Sequence, residues 1–504
     1  MPYKYGGPRS KGCHACRVRK IKCDEARPTC GRCLRSGKRC EFRDAFELLH
    51  YDETAHASHR AHELWQKRAT KPDEGGVSHP ASTKGLTAIP ANVALGLGPP
   101  LYELAVQRFF FDYVFQMSTP SGRGGYLECL PDVYPRFIHQ PFFLSAFKST
   151  ALANFARRCN SRNASEAALA EYGKAICLTN AAVRDPVLVV RDETLLACQL
   201  LGFCEIYLSP ETAFRSWYVH MQGAAALLEH RGSEILQTPL GPTLFKAVHA
   251  QELYKCLRFC LRPTYNPPFV KQVYDLISAQ VYLLVSDIAT SCAEYIERKD
   301  NLSGDQRNAF GAGLLERARL LDLQWQRLVS VVPQPFGYER VPKGEYGPLP
   351  NWILPLIQDQ RAPCFVHIYS GFGPCFIWNV MRYARVRLHQ LQILLAGTTT
   401  LSGAASESLE LLLQLEDELS STVPALLIAT DEEVRTRSTG EDVPSFRAFL
   451  MVRSLIAARM TLRFLARRGL HVQERLAWLT ELFACLHEHL TIFVPSEFDP
   501  LDED

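Results

Sequence analysis

Cys13-His14-Ala15-Cys16-Arg17-Val18-Arg19-Lys20-Ile21-Lys22-Cys23 is followed, six residues on, by Cys30-Gly31-Arg32-Cys33 and then by Cys40. The spacing is C-x2-C-x6-C-x6-C-x2-C-x6-C, so the triplet Cys30/Cys33/Cys40 repeats the gaps of Cys13/Cys16/Cys23. A Cys-x-x-Cys pair can place two sulfurs on one tetrahedral metal, because a tight turn or a first helical turn brings them together. Six thiolates cannot supply two zinc ions with four private ligands each, but they suffice if two of them bridge. The duplicated spacing suggests the first cysteine of each triplet, Cys13 and Cys30, as the bridges.

The residues between Cys16 and Cys23 indicate what such a site is for. Arg17-Val18-Arg19-Lys20-Ile21-Lys22 holds four cations in six positions. On a short helix these form a cationic face on a rigid support, an arrangement that suits a DNA groove and its phosphates. Residues 1–43 contain 13 lysines and arginines against three acids, whereas the whole chain is only +3. A basic head is therefore attached to a mildly acidic body, and two Zn2+ with six thiolates would leave the head strongly positive.

Lys11-Gly12-Cys13 through Cys23-Asp24, with Arg27-Pro28-Thr29-Cys30-Gly31-Arg32-Cys33, resembles the fungal Zn2Cys6 binuclear-cluster transcription factors. The resemblance implies two Zn2+ per chain, held by Cys13, Cys16, Cys23, Cys30, Cys33 and Cys40 in a structural role, with no open position for an activated water. It implies that Lys20 and its neighbour Arg19 meet base edges of a CGG-like triplet in the major groove of double-stranded DNA. Arg17, Lys22 and Lys11 would contact phosphates and set register, and Pro28 would shape the loop joining the two metal half-sites. Nuclear localisation, homodimeric or heterodimeric pairing, and partners in the transcription machinery or among co-regulators are further implications.

Other readings of the cysteines fit less well. A disulfide framework needs an oxidising compartment, and Met1-Pro2-Tyr3-Lys4-Tyr5 leads into polar residues with no apolar signal-peptide region. A metallothionein-like thiolate store does not account for the cationic run. A zinc module that binds only protein does not need it either.

Beyond the head, residues 44–68 read as a short helix. Phe42, Phe46 and Leu49 begin a seam that fades at Glu53 and His56, so dimerisation through a coiled coil there is left open. Residues 70–100 are rich in proline and glycine and read as a disordered linker. From Leu101 to about residue 496 the periodicity is helical, and an all-α domain is expected. Segments Asp192 to Leu201, Ala213 to Arg231, Phe376 to Ala396, Glu407 to Ser420, Phe446 to Arg468 and Val472 to Phe493 carry it, with Gly232, Gly397 and Gly469 placed as C-caps. Trp217-x2-His220-x2-Gly223-Ala224-x2-Leu227-Leu228-x2-Arg231-Gly232 resembles a stretch of the fungal-specific regulatory domain that accompanies many such clusters. On that helix Trp217 fills space, Gly223 and Ala224 would permit close helix approach, and His220 reads as a buried hydrogen-bonded residue. No apolar run approaches the ~18 residues of a membrane span, so no membrane partner is expected.

Other constellations lack the chemistry they suggest. His56, His59 and His62 step by three, but no carboxylate or cysteine completes a site. His487-Glu488-His489 is not H-E-x-x-H, Gly96-Leu97-Gly98 runs into prolines, and Cys256 and Cys260 read as buried thiols. Residues 497–504 mix acids with Phe498 and Leu501, as an activation segment or an acidic tail does. The expected whole is a small Zn2Cys6 domain over 11–43, a linker over 44–100, an all-α regulatory domain over 101–496 and an acidic tail. It reads as a transcription factor governing a metabolic or secondary-metabolite gene set, and not an enzyme. The alternative is a transcriptional cofactor or repressor acting mainly through the helical domain, with an enzyme as a remote third.

Overall fold

The computed structural model describes residues 13–19, 21–24, 26, 29–37, 40, 100–114, 118–119, 122–123, 127–208, 213–264, 267–333, 336–345, 349–396, 402–428, 443–491 and 499–501. Residues 44–99 of the proposed linker, with the histidines at 56, 59 and 62, lie outside them, as does Gly397. The head holds two short helices, α1 (His14–Val18) and α2 (Gly31–Ser36). Each begins just after the leading cysteine of a triplet. Gly37 ends α2 in the left-handed region at φ 59°, where its N–H reaches the carbonyls of Cys33 and Leu34; a residue with a Cβ would be strained there.

The body is helical, with two minor β-pairings among the described residues. Its first half runs α3 (Leu101–Tyr113), α4 (Leu130–Phe137), α5 (Pro141–Arg158), α6 (Arg162–Arg184), α7 (Asp192–Leu208), α8 (Ala213–Arg231) and α9 (Gly241–Phe259). The second continues through α10 (Pro267–Val273), α11 (Leu276–Arg298), α12 (Gly304–Ser330), α13 (Leu354–Gln358), α14 (Phe372–Ala396), α15 (Ser402–Ser420), α16 (Val423–Leu427), α17 (Ser445–Ala466) and α18 (Gln473–Leu490). Strands β1 (Ser118–Thr119) and β2 (Gly122–Arg123) pair with each other, and β3 (Tyr338–Pro342) pairs antiparallel with β4 (Phe365–Tyr369).

Local chemistry starts several helices where the chain turns. Ser161 accepts from the Ala164 N–H to cap α6, and Asp275 accepts from the Ser278 N–H at 2.9 Å to cap α11. Helix α5 packs against α3, α6 and α7, while α14 packs against α11, α12, α15 and α17. Helix α17 returns to α3 and joins the two halves. Aromatic rings line that junction: Tyr113 meets Phe203 at 5.4 Å, Phe203 meets Phe449 at 5.4 Å, and Trp217 meets Phe449 edge-on at 6.1 Å.

Three expectations change. Trp217 is fully buried as expected, but the close helix approach is made by Gly202 on α7, not by Gly223 on α8. A Cβ on Gly202 would stand 2.8 Å from Met221 and 3.3 Å from both Trp217 and His220, whereas one on Gly223 would meet nothing within 4 Å. The small residue serves the helix that receives the tryptophan. Second, α11 is long and apolar enough to cross a membrane by length and composition. Its Val281, Val285, Ile288, Ala289 and Cys292 are buried against α9, α12 and α14, so protein, not lipid, satisfies its apolar surface. Third, Asp499 and Leu501, within the expected acidic tail, are buried against the core. Arg387, wholly buried, donates to Asp499 at 2.7 Å, and Leu501 is inaccessible.

Candidate functional site

The six sulfurs of the head fall into two groups of four. Cys13, Cys16, Cys23 and Cys30 form one, and Cys13, Cys30, Cys33 and Cys40 the other, each with all its sulfurs within 4.8 Å of one another. Cys13 and Cys30 belong to both. Cys13 Sγ lies 3.7 Å from Cys30 Sγ and 3.5 Å from Cys33 Sγ, and Cys16 Sγ lies 3.7 Å from Cys30 Sγ. Sulfurs about 2.3 Å from a shared zinc stand about 3.8 Å apart at the corners of a tetrahedron. The separations therefore fit two tetrahedra that share an edge. All six cysteines are free thiols. When bound, the two zinc ions supply cross-links in place of an apolar core.

Burial pushes the Cys16 thiol up to about 12, with the hydrogen-bonded sulfurs of Cys13, Cys30 and Cys23 adding to the rise. Binding zinc must displace that proton. The backbone prepares some of the sulfurs as acceptors: the Cys33 N–H points at Cys30 Sγ at 3.4 Å, and the Cys30 N–H at Cys40 Sγ at 3.3 Å. Asp24, one residue past Cys23, accepts from the Gly31 N–H at 2.9 Å and joins the end of the first triplet to the start of α2. A Cβ on Gly31 would stand 2.7 Å from the Asp24 carboxylate, so a side chain there would push that carboxylate aside. Asp24 stands in the motif with no role evident from the sequence; its signal is an acid immediately after one ligand cysteine and a glycine immediately after the next.

The basic run is partly resolved into roles. Lys11 and Lys20 lie outside the described residues, as does Pro28, and Arg17 lies on α1. Lys22 is exposed. Arg19, expected beside Lys20 at base edges, is half-buried and turned into the cluster: its Nε donates to the Ala15 carbonyl at 3.0 Å and its Nη2 to Cys33 Sγ at 3.8 Å.

In the body, the candidates set aside earlier are structural. His489 stacks on Trp352 at 4.6 Å, and Cys256 and Cys260 are buried. His220 Nε2 stands 3.8 Å from Glu205, which also accepts from Tyr172. One Asp–His–Ser chain had no signature in the sequence: Asp322 Oδ1 is 3.2 Å from His389 Nε2, and His389 Nδ1 is 3.2 Å from Ser408 Oγ. Ser408 and His389 are buried, Asp322 is also held by Arg385 at 2.7 Å, and Ser408 donates to Gln392. The chain clasps α12, α14 and α15. A cavity of about 20 Å³ beside Tyr254, Asn379, Tyr383 and Arg453 touches none of its members and has room for about one water.

Comparison with known proteins agrees with this geometry. The model of the fungal Zn(2)-Cys(6) binuclear cluster domain matches residues 11–47, and that of the fungal specific transcription factor domain matches residues 106–265. The packed core extends well past residue 265, through α18. An uncharacterized transcriptional regulatory protein of Saccharomyces cerevisiae is 56% identical over 36 residues, 7% of this chain and 5% of its own length. Transcription factor lfc1 of Flammulina velutipes is 55% identical over 38 residues, 7% of this chain and 14% of its own. The aspercryptin biosynthesis cluster-specific transcription regulator atnN of Emericella nidulans is 45% identical over 40 residues, 8% of this chain and 7% of its own. The chain thus matches only a small fraction of each relative's length, and no solved structure matches it. With both domain models matched in order along the chain, and six clustered cysteines placed to hold two zinc ions, the chain carries a fungal Zn2Cys6 binuclear cluster domain followed by a fungal specific transcription factor domain.

Proposed function

We propose that this protein is a nuclear, sequence-specific regulator of RNA polymerase II transcription. Its zinc head reads a CGG-like triplet, and its helical body governs the output of a metabolic or secondary-metabolite gene set. The observation that carries the reading is the pair of four-sulfur groups sharing Cys13 and Cys30, with a basic run between Cys16 and Cys23. Cys13 and Cys30, which belong to both groups, would serve both zinc ions, and Cys16, Cys23, Cys33 and Cys40 would complete the two sets. In this role the metal is structural: it holds a peptide too small for a core in one shape, so that lysine and arginine side chains meet the duplex at fixed positions. Lys20 reads guanine O6 and N7, while Lys22, Arg17 and Lys11 neutralise phosphates.

The test is a salt-controlled competition between a duplex carrying the triplet and a scrambled one. Lys20→Ala should reduce the preference for the triplet by about 1–3 kcal/mol. An unchanged ratio in that variant would remove Lys20 from base reading. A parent protein with no preference for any triplet would remove sequence-specific recognition altogether.

A further inference from the structure

We propose that Arg19 is a positioning residue of the zinc cluster, binding the first cysteine triplet to the terminal sulfur Cys33 of the second. The proposal deepens the DNA-binding reading and rests on it for the expected base preference. Arg19 immediately follows α1. Its Nε donates one turn back to the Ala15 carbonyl at 3.0 Å, at the helix end where carbonyls lack intrahelical partners. That bond anchors the guanidinium and leaves Nη2 3.8 Å from Cys33 Sγ. Arg19 lies between Cys16 and Cys23, both in the first four-sulfur group only, and Cys33 belongs to the second group only. One side chain therefore crosses from one half-site to the other without passing through a bridging cysteine.

The repeat makes the crossing specific. The position equivalent to Arg19, three residues after Cys33, is Ser36, whose hydroxyl donates to the Cys33 carbonyl at 3.4 Å. A serine that short, bonded to its own turn, does not reach across. The two triplets share their cysteine spacing but not this link. Its chemistry follows from charge. Two Zn2+ and six thiolates leave the cluster net negative, and a guanidinium, which stays protonated at any working pH, places a charge-assisted donor on one terminal thiolate. Donors of this kind orient the ligand and reduce its tendency to leave the metal. Within one basic run, half-buried Arg19 serves the cluster and exposed Lys22 serves the duplex.

Zinc-loaded full-length protein should be mixed with excess chromogenic chelator and the release rate followed by absorbance, for the parent, Arg19→Gln, Arg19→Lys and Lys22→Gln. Arg19→Gln should release zinc about tenfold faster or more, the scale of an outer-shell loss. Arg19→Lys should also release faster than the parent, because one ammonium cannot reproduce the fork to Ala15 and Cys33. Lys22→Gln should match the parent. Parental release from Arg19→Gln overturns the proposal, and so does equal acceleration by Lys22→Gln, which would mark a general charge effect. In the duplex competition Arg19→Gln should keep the parent's specificity ratio. A lost ratio with parental zinc release would make Arg19 a base reader and overturn its positioning role. A parent without triplet preference would refute the DNA reading, while the release rates would still decide the role of Arg19.

Discussion

The head and the body reach a defined shape by different means. In the head the buried cluster consists of four cysteines, Cys13, Cys16, Cys30 and Cys33, with Ala15, Ile21, Cys23 and Cys40 packed beside it. Even its larger apolar side chains Val18 and Leu34 point to solvent, at 67% and 72% exposure. Among the described residues of the head no hydrophobic contribution of useful size is available, so metal coordination is expected to supply the folding free energy. The body has the opposite economy: a continuous core of aliphatic and aromatic side chains from Ala105 to Leu501, into which buried guanidiniums such as Arg387 and Arg382 are admitted against the carboxylates of Asp499 and Glu418. A short segment held by metal can be recognised from ligand spacing, whereas a large one held by packing shows its element types first and its contacts only when folded.

The strongest way to break this comparison is to remove the metal. Structural zinc contributes on the order of 10 kcal/mol to such small modules, so a chelator should abolish duplex binding by the full-length protein. The main thermal transition, which belongs to the body, should stay in place. A main transition that shifts with chelator would mean that the two regions share one source of stability.

Next come two substitutions inside the body. Asp499→Ala leaves the Arg387 guanidinium buried without its carboxylate, and an unpaired buried charge typically costs about 3–5 kcal/mol. Arg387 keeps bonds to the carbonyls of Leu257 and Arg258, so the lower part of that range is expected. An unchanged denaturation midpoint would mean that the pair with Arg387 does not hold residues 499–501 against the core. Trp217→Ala opens a cavity against Phe449 and Gly202 and should cost about 3–5 kcal/mol, with zinc release unaltered. A variant as stable as the parent would show that the Trp217 to Gly232 helix is not part of the core. Either variant should lower transcriptional output through protein level, read by immunoblot beside a reporter.

The smallest effect sharpens the division of labour within the head. Lys22→Ala should weaken all duplexes about equally and reduce the salt dependence by about one unit of slope, as loss of one phosphate contact does. A selective loss on the triplet-bearing duplex would move Lys22 from phosphate contact to base reading.

Much of this was legible before folding. The Cys-x2-Cys-x6-Cys repeat announces two metals because thiolate geometry tolerates few spacings, and the sulfurs do gather into two overlapping groups. Helical periodicity located most of the body, and α8 begins at Ala213 and ends at Arg231 as read. The start of α14 at Phe372, not Phe376, and the end of α18 at Leu490, not Phe493, show the usual looseness of ends. Arg19 and Lys20 looked alike because both are cations in one run. Only the fold turns Arg19 toward Cys33.

Sequence alone determined the metal, the basic character of the head and the helical character of the body, since each follows from local spacing, charge or periodicity. Tertiary structure decided the rest. It made Gly202, not Gly223, the point of close approach, because a glycine matters where a neighbour's side chain arrives and not where its own helix is smooth. It turned Leu276–Arg298 from a stretch apolar enough for a bilayer into a core helix, because other helices cover it. It paired Asp499 with Arg387 across more than a hundred residues, because a carboxylate offsets the cost of burying that guanidinium.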